Sequence, residues 1–154
     1  MQSIPIGSII LTVRLDASQF IVTQNGRKPR QEALPSRNRE QALREILSQV
    51  RGLTPQQESH ETLSGFFIQV EQGRAIVSTD KLDHTGLATV SGDNVGIGDE
   101  VAVLYKTSMP IVLRATAGGD EYGFVCGYLG FGMMHGEMVR SDRWVQSKEY
   151  RIIK

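Results

Sequence analysis

Cysteine is nearly absent from this chain: Cys126 is the one example among 154 residues. A single thiol excludes a disulfide framework, a cysteine-rich zinc site and an iron–sulfur cluster, all of which need several sulfur ligands. Net charge is missing as well. Lys+Arg number 17 and Asp+Glu number 17, whereas a phosphate-binding surface carries a clear basic excess, so no nucleic-acid partner is expected. No long apolar run occurs. The stretch Ile4–Val13 is interrupted by Pro5 and Gly7 and stops at Arg14, too short for a membrane span and without the basic start of a signal peptide. These features predict a soluble cytoplasmic protein with no membrane span and with Cys126 reduced. Histidine is scarce: His60, His84 and His135 are dispersed, and His60-Glu61 is not followed by the second histidine of a zincin motif. Gly96-Ile97-Gly98 lacks the third glycine of a dinucleotide fingerprint, and neither a P-loop nor a Gly-x-Ser-x-Gly elbow occurs. No metal and no cofactor are therefore expected.

What is present points to β structure in a single domain spanning 1–154. Hydrophobic residues make up 40%, enough for a packed core, and the 16 glycines imply many turns. Residues 8–24 alternate and read as two N-terminal strands around an Asp16-Ala17-Ser18 turn. Residues 25–37 are polar and basic and read as a mobile surface loop. Over 38–64 the chain reads as helical. Ala42, Leu43, Ile46, Leu47 and Val50 fall on one face of a helix over 38–50, and Pro55 opens a second, surface helix from Thr54 to about Leu63. From Gly65 the period becomes two. Strands are predicted at 66–70, 74–78, 100–106, 111–114, 122–129 and 150–153, with a loop carrying Gly86, Gly92, Gly96 and Gly98 between the second and third. The predicted fold class is mainly β, a small antiparallel β-barrel over 65–154 with one or two helices packed on it or capping it.

Several pieces of the second half keep a characteristic order. They are Gly73-Arg74 and the strand Ala75–Thr79, Gly86-Leu87, Val95-Gly96-Ile97-Gly98-Asp99, and Val101-Ala102-Val103-Leu104-Tyr105. Met109-Pro110-Ile111-Val112-Leu113-Arg114 follows, then Tyr122, Tyr128 and Gly132-Met133-Met134-His135-Gly136-Glu137. This order resembles the C-terminal small β-barrel region of fungal heterokaryon-incompatibility (HET) proteins over residues 65 to about 140. The sequence departs from that pattern at Phe131, where the family has histidine, at His135, where it has aspartate, and at Tyr105-Lys106, where it has a turn ending in glycine. The family's N-terminal signalling domain is also missing from the sequence.

The resemblance implies a barrel used alone, as in related stand-alone proteins of fungal terpenoid secondary metabolism. The activity so implied is a cofactor-independent pericyclase, an intramolecular Diels–Alder cyclase giving a norbornene-type product from a hydrophobic terpenoid substrate. Such chemistry needs a preorganised conformer, which can recover several of the ~7–11 kcal/mol available to oriented reactions. A hydrogen-bond donor on the dienophile carbonyl adds about 2–4 kcal/mol. The candidate catalytic residues are Tyr128, His135 and Arg114. Tyr128 reads as a hydroxyl donor or as half-buried packing. His135, with Glu137 two residues on, reads as a carbonyl donor or as a surface histidine. Arg114 reads as a carboxylate clamp or as a structural arginine pinning a turn. Candidate substrate-binding residues are Tyr105, Lys106, Tyr122, Phe131, Met133, Glu137 and Trp144. Cys126 reads as an inert buried thiol. The basic stretch from Arg27 to Arg39 reads as a solvated loop balanced by Glu32 and Glu40, with contact to an acidic partner as the alternative. The alternative function is a non-catalytic β-barrel binding module, and both monomer and homodimer stay open.

Overall fold

A computed structural model of the chain describes residues 2–16, 19–33, 45, 68–70, 72–80, 87–91, 94–107, 109–130 and 147–153. Among them the protein is mainly β. Ten strands run in chain order: β1 (Gln2–Asp16), β2 (Gln19–Gln24), β3 (Arg30–Ala33), β4 (Arg74–Thr79) and β5 (Leu87–Ser91), then β6 (Glu100–Leu104), β7 (Pro110–Ala115), β8 (Glu121–Gly130), β9 (Lys148–Glu149) and β10 (Arg151–Ile153). They join in the order β3-β2-β1-β4-β5-β8-β7-β6, and β6 pairs back onto β1. The strands β1, β4, β5, β8, β7 and β6 therefore close into an antiparallel ring. β2 and β3 extend from it as a flap, and β10 adds to β8 in parallel.

Two long strands close the ring by changing partners along their length. β1 pairs with β6 through Ser3–Ser8 and with β4 through Ile9–Val13. Register shifts between Pro5 and Gly7 and between Ile9 and Leu11 mark the bend, where bulges strengthen local twist. Proline is tolerated there because the ladder is already broken. Gly7 adopts φ 154°, and a Cβ at this position would overlap the backbone oxygen of Asp80. Asp80 is tied to the bend on both sides: Ser8 N donates to its Oδ1 at 2.7 Å, and its own N–H donates to Ser8 O at 3.0 Å. β8 makes the matching change, pairing with β7 up to Gly127 and with β5 from Tyr128, with a shift that leaves Val125 as the extra residue.

The ring interior is one apolar cluster that includes Ile4, Ile6, Val77, Val101, Val112 and Tyr128, all 0–1% exposed. Burying each aliphatic side chain is worth about 1.5–3 kcal/mol. The bulge at Ile10 puts Leu11 and Val13 on the other face, where they pair with Gln24 and Val22 of β2 and with Ser78 and Ile76 of β4. Phe20, Val22 and Val70 are also fully buried.

Four expectations are corrected. Ile68–Val70 is helical rather than part of a strand: Gln72 N donates to Ile68 O at 3.1 Å and Gly73 turns the chain into β4. A five-residue segment with four apolar residues suits either period, so alternation could not decide it. β3 lies inside the stretch expected as loop, after a turn in which Arg27 N donates to Gln24 O at 2.8 Å. That turn has φ 44° at Asn25 and 78° at Gly26, the type I′ geometry that Asn-Gly favours. β5 occupies part of the expected glycine loop. The ring also takes β1 from the N-terminal segment, so it is not confined to 65–154. The helices expected over 38–64 lie outside the described residues, apart from Glu45, which is helical.

Candidate functional site

Among the described residues, a dense group of polar bonds outside the strands is the 94–99 loop against β7. Gly96 to Asp99 forms a turn in which Asp99 N donates to Gly96 O at 3.2 Å, with Gly98 at φ 92° in the position that requires a left-handed backbone. The Asp99 side chain, 5% exposed, accepts from Gly96 N at 2.8 Å. It also takes a two-pronged grip from Arg114, Nε to Oδ1 at 2.8 Å and Nη2 to Oδ2 at 2.7 Å. Arg114 Nη2 donates to Asn94 O as well. The hydrogen bond to Asp99, reinforced by its charge against a desolvation cost, holds the guanidinium more firmly protonated. From β1, Arg14 Nη2 donates to Val95 O at 2.5 Å. Ile9 N donates to Asp99 O at 2.9 Å, and Gly98 N donates to Ile9 O at 2.9 Å. A ligand carboxylate at Arg114 would have to displace Asp99 from both nitrogens.

Tyr128 is fully buried inside the ring, with its hydroxyl 3.4 Å from Thr79 Oγ1. This is a polar pair in an apolar interior, where a hydroxyl needs its partner. Cys126 lies on the same interior face, and burial pushes its thiol pKa up, as an inert thiol requires.

A second cluster covers the outer face of β6 and β7. Tyr122 and Tyr150 meet edge to face with centroids 4.7 Å apart. Lys148 Nζ sits 4.6 Å from the Tyr150 centroid and 5.3 Å from that of Tyr122, and donates to Tyr122 Oη at 3.2 Å. Glu100 Oε2 lies 3.7 Å from the same ammonium. Burial first, then the charge and hydrogen bond of Glu100, push the Tyr150 hydroxyl pKa well above its usual range. Leu113 and Ala102 form the floor. The cluster is a complete ammonium site filled by the chain's own lysine, and it staples the C-terminal segment to the ring.

The structure thus sets Arg114 of β7 against the 94–99 loop, Tyr128 inside the ring and Tyr122 in the lysine cluster. It brings no two of them together. Tyr105 and Lys106 stand at the exposed β6–β7 hairpin tip, with Lys106 at φ 67° and its ammonium 6.0 Å from the Tyr105 ring. His135, Phe131, Met133, Glu137 and Trp144 lie outside the described residues. Sequence reasoning missed Asp99, Glu100, Lys148 and Tyr150 as members of side-chain clusters. Asp99 carried a signal in its Gly-Asp pair; the others meet only through long-range pairing. Among the described residues no three or more His, Cys, Asp or Glu side chains converge as metal ligands, and no helix is long and apolar enough to cross a membrane. Family models, curated proteins and solved structures give no match to this chain.

Proposed function

We propose that the six-stranded ring is a small β-barrel acting as a non-catalytic binding module of the HET-barrel type. One observation carries this reading: the interior is occupied by the ring's own side chains, from Ile4 to Tyr128. A closed sheet of about eight strands is only just wide enough for its side chains to fill, and a six-stranded ring is narrower. Binding then falls to the outside, where Phe124 is 60% exposed and Tyr105 and Met109, at the β6–β7 tip, are each 50% exposed.

The second reading is the intramolecular Diels–Alder cyclase for a hydrophobic terpenoid. The observation favouring it is the Tyr128–Thr79 hydroxyl pair buried in an apolar interior, the kind of donor such a reaction uses. An NMR titration separates the two, using the full chain and a terpenoid aldehyde that carries a tethered diene. The binding-module reading expects shifts at Tyr105, Met109 and Phe124 and a cyclisation rate equal to that in buffer. Shifts at Val101, Val112 and Tyr128, with an acceleration that Tyr128→Phe reduces, overturn it in favour of the cyclase.

A further inference from the structure

The flap ends in an edge that is complementary to itself. β3 (Arg30–Ala33) has β2 as its one neighbour among the described residues. Its pairing with β2 runs from Gln19↔Ala33 to Val22↔Arg30. Alternate backbone N–H and C=O groups of such a strand point away from its neighbour and are ready to pair with another strand. Residues 25–31 are exposed.

Charge is unevenly placed along this edge. Arg27, Lys28 and Arg30 lie at the turn end, while Glu32 stands nearer the far end, paired in register with Phe20. Like charges set directly opposite each other across an antiparallel pair are destabilising, and opposite charges are favourable. For two copies of β3 laid antiparallel, a register centred on Arg30 sets arginine against arginine, and one centred on Glu32 sets glutamate against glutamate. A register centred on Gln31 sets position 30 of each copy against position 32 of the other, arginine facing glutamate twice. It also sends the two basic turns to opposite ends of the pair.

We propose that β3 is a self-pairing edge through which two copies of this chain form a two-fold dimer centred on Gln31. The interface is isologous, so each side-chain change enters it twice. A free acidic peptide would also meet the turn cations, but the Glu32 position would oppose it, whereas a second copy satisfies both charges.

The test is sedimentation equilibrium of the full chain over a wide concentration range, with far-UV circular dichroism to confirm that each variant is folded. The parent chain is expected to dimerise reversibly. Arg30→Glu alone and Glu32→Arg alone should each weaken the dimer about tenfold, each change being counted twice. The double variant Arg30→Glu/Glu32→Arg should return to near the parent value. Gln31→Pro, which removes a backbone donor at the centre, should abolish dimerisation. A chain that stays monomeric at its highest soluble concentration overturns the proposal. So does a dimer indifferent to these changes, or one that the double variant fails to restore. None of these outcomes depends on whether the ring binds a ligand or catalyses a reaction.

Discussion

Replacing Gly7 by alanine tests how the ring is closed. A Cβ there overlaps the Asp80 backbone oxygen and comes within 2.7 Å of its Oδ1. The backbone oxygen cannot rotate away, so β1 and Asp80 must separate. Overpacking of this kind costs about 1–3 kcal/mol. Separation also strains the bond from Ser8 N to the Asp80 carboxylate at 2.7 Å, and a bond to a charged group is worth about 1.5–3 kcal/mol. The two terms overlap, so a total of about 3–4 kcal/mol is expected against a typical stability of about 5–15 kcal/mol. Two further glycines isolate the causes. At Gly98, φ is 92° and no atom lies within 4 Å of a Cβ, so Gly98→Ala should cost only the backbone term, about 1–2 kcal/mol. Gly118 has open space and no left-handed backbone, so Gly118→Ala should be neutral or stabilise by up to about 1 kcal/mol. Urea titration gives all three differences, and the Gly7→Ala melting temperature should fall by roughly 10 °C. If Gly7→Ala and Gly118→Ala agree within about 0.5 kcal/mol, the contact with Asp80 does not fix the bend of β1.

Three more perturbations address the polar clusters. Arg114→Ala and Asp99→Ala should each destabilise by about 1–3 kcal/mol. Their coupling in a double-mutant cycle should be about 1 kcal/mol, reduced because the Arg114 side chain is 48% exposed. Arg114→Lys should not recover the loss, since an ammonium cannot hold both carboxylate oxygens; full recovery would exclude the two-pronged bond as the cause. The raised pKa of Tyr150 favours its neutral form in the fold, so its contribution is complete below the ordinary value of 10.0 and is lost as pH rises through and beyond it. The melting temperature should therefore fall more steeply from about pH 9 to pH 11 in the parent than in Tyr150→Phe; equal slopes would refute the shift. Cys126, buried and with its pKa raised, should react with a thiol reagent only as fast as the protein opens, and rapid native labelling would contradict that burial.

The central strands were legible because their own side chains decide them. In Val101-Ala102-Val103 and Ile111-Val112-Leu113 every residue is apolar and nearly all are buried, and it is their shortness, their β-branched residues and the Gly and Pro beside them that favour strands over a buried helix. β3 was not legible because Arg30-Gln31-Glu32 is polar and the strand exists through its pairing with β2; the Asn25-Gly26 pair was its signal. β5 was hidden by the glycines around it. The parallel pairing of β10 with β8 has no local signature, since it links residues about thirty positions apart. In the candidate site, the alternative that Arg114 pins a turn could be stated from sequence, but its partner Asp99 could not be assigned until β7 was laid beside the 94–99 loop.

These bonds converge on one short stretch of β1. Ser8 is held by Asp80, and Ile9 is held by Gly98 and Asp99. The loop carrying the latter pair is held in turn by Arg114 and Arg14. The stretch from Gly7 to Ile9 is where β1 leaves β6 and joins β4, the step that turns an open sheet into a ring. These polar groups therefore serve closure. A group engaged in closure can be recruited to bind a ligand only at a cost in stability, because the turn it holds would loosen. The exposed Met109 and Phe124 side chains and the outer edge of β3 take no part in these bonds. In the proposed binding module, contact with a partner therefore falls to the outer surface, while the interior and the Asp99–Arg114 latch keep that surface in place.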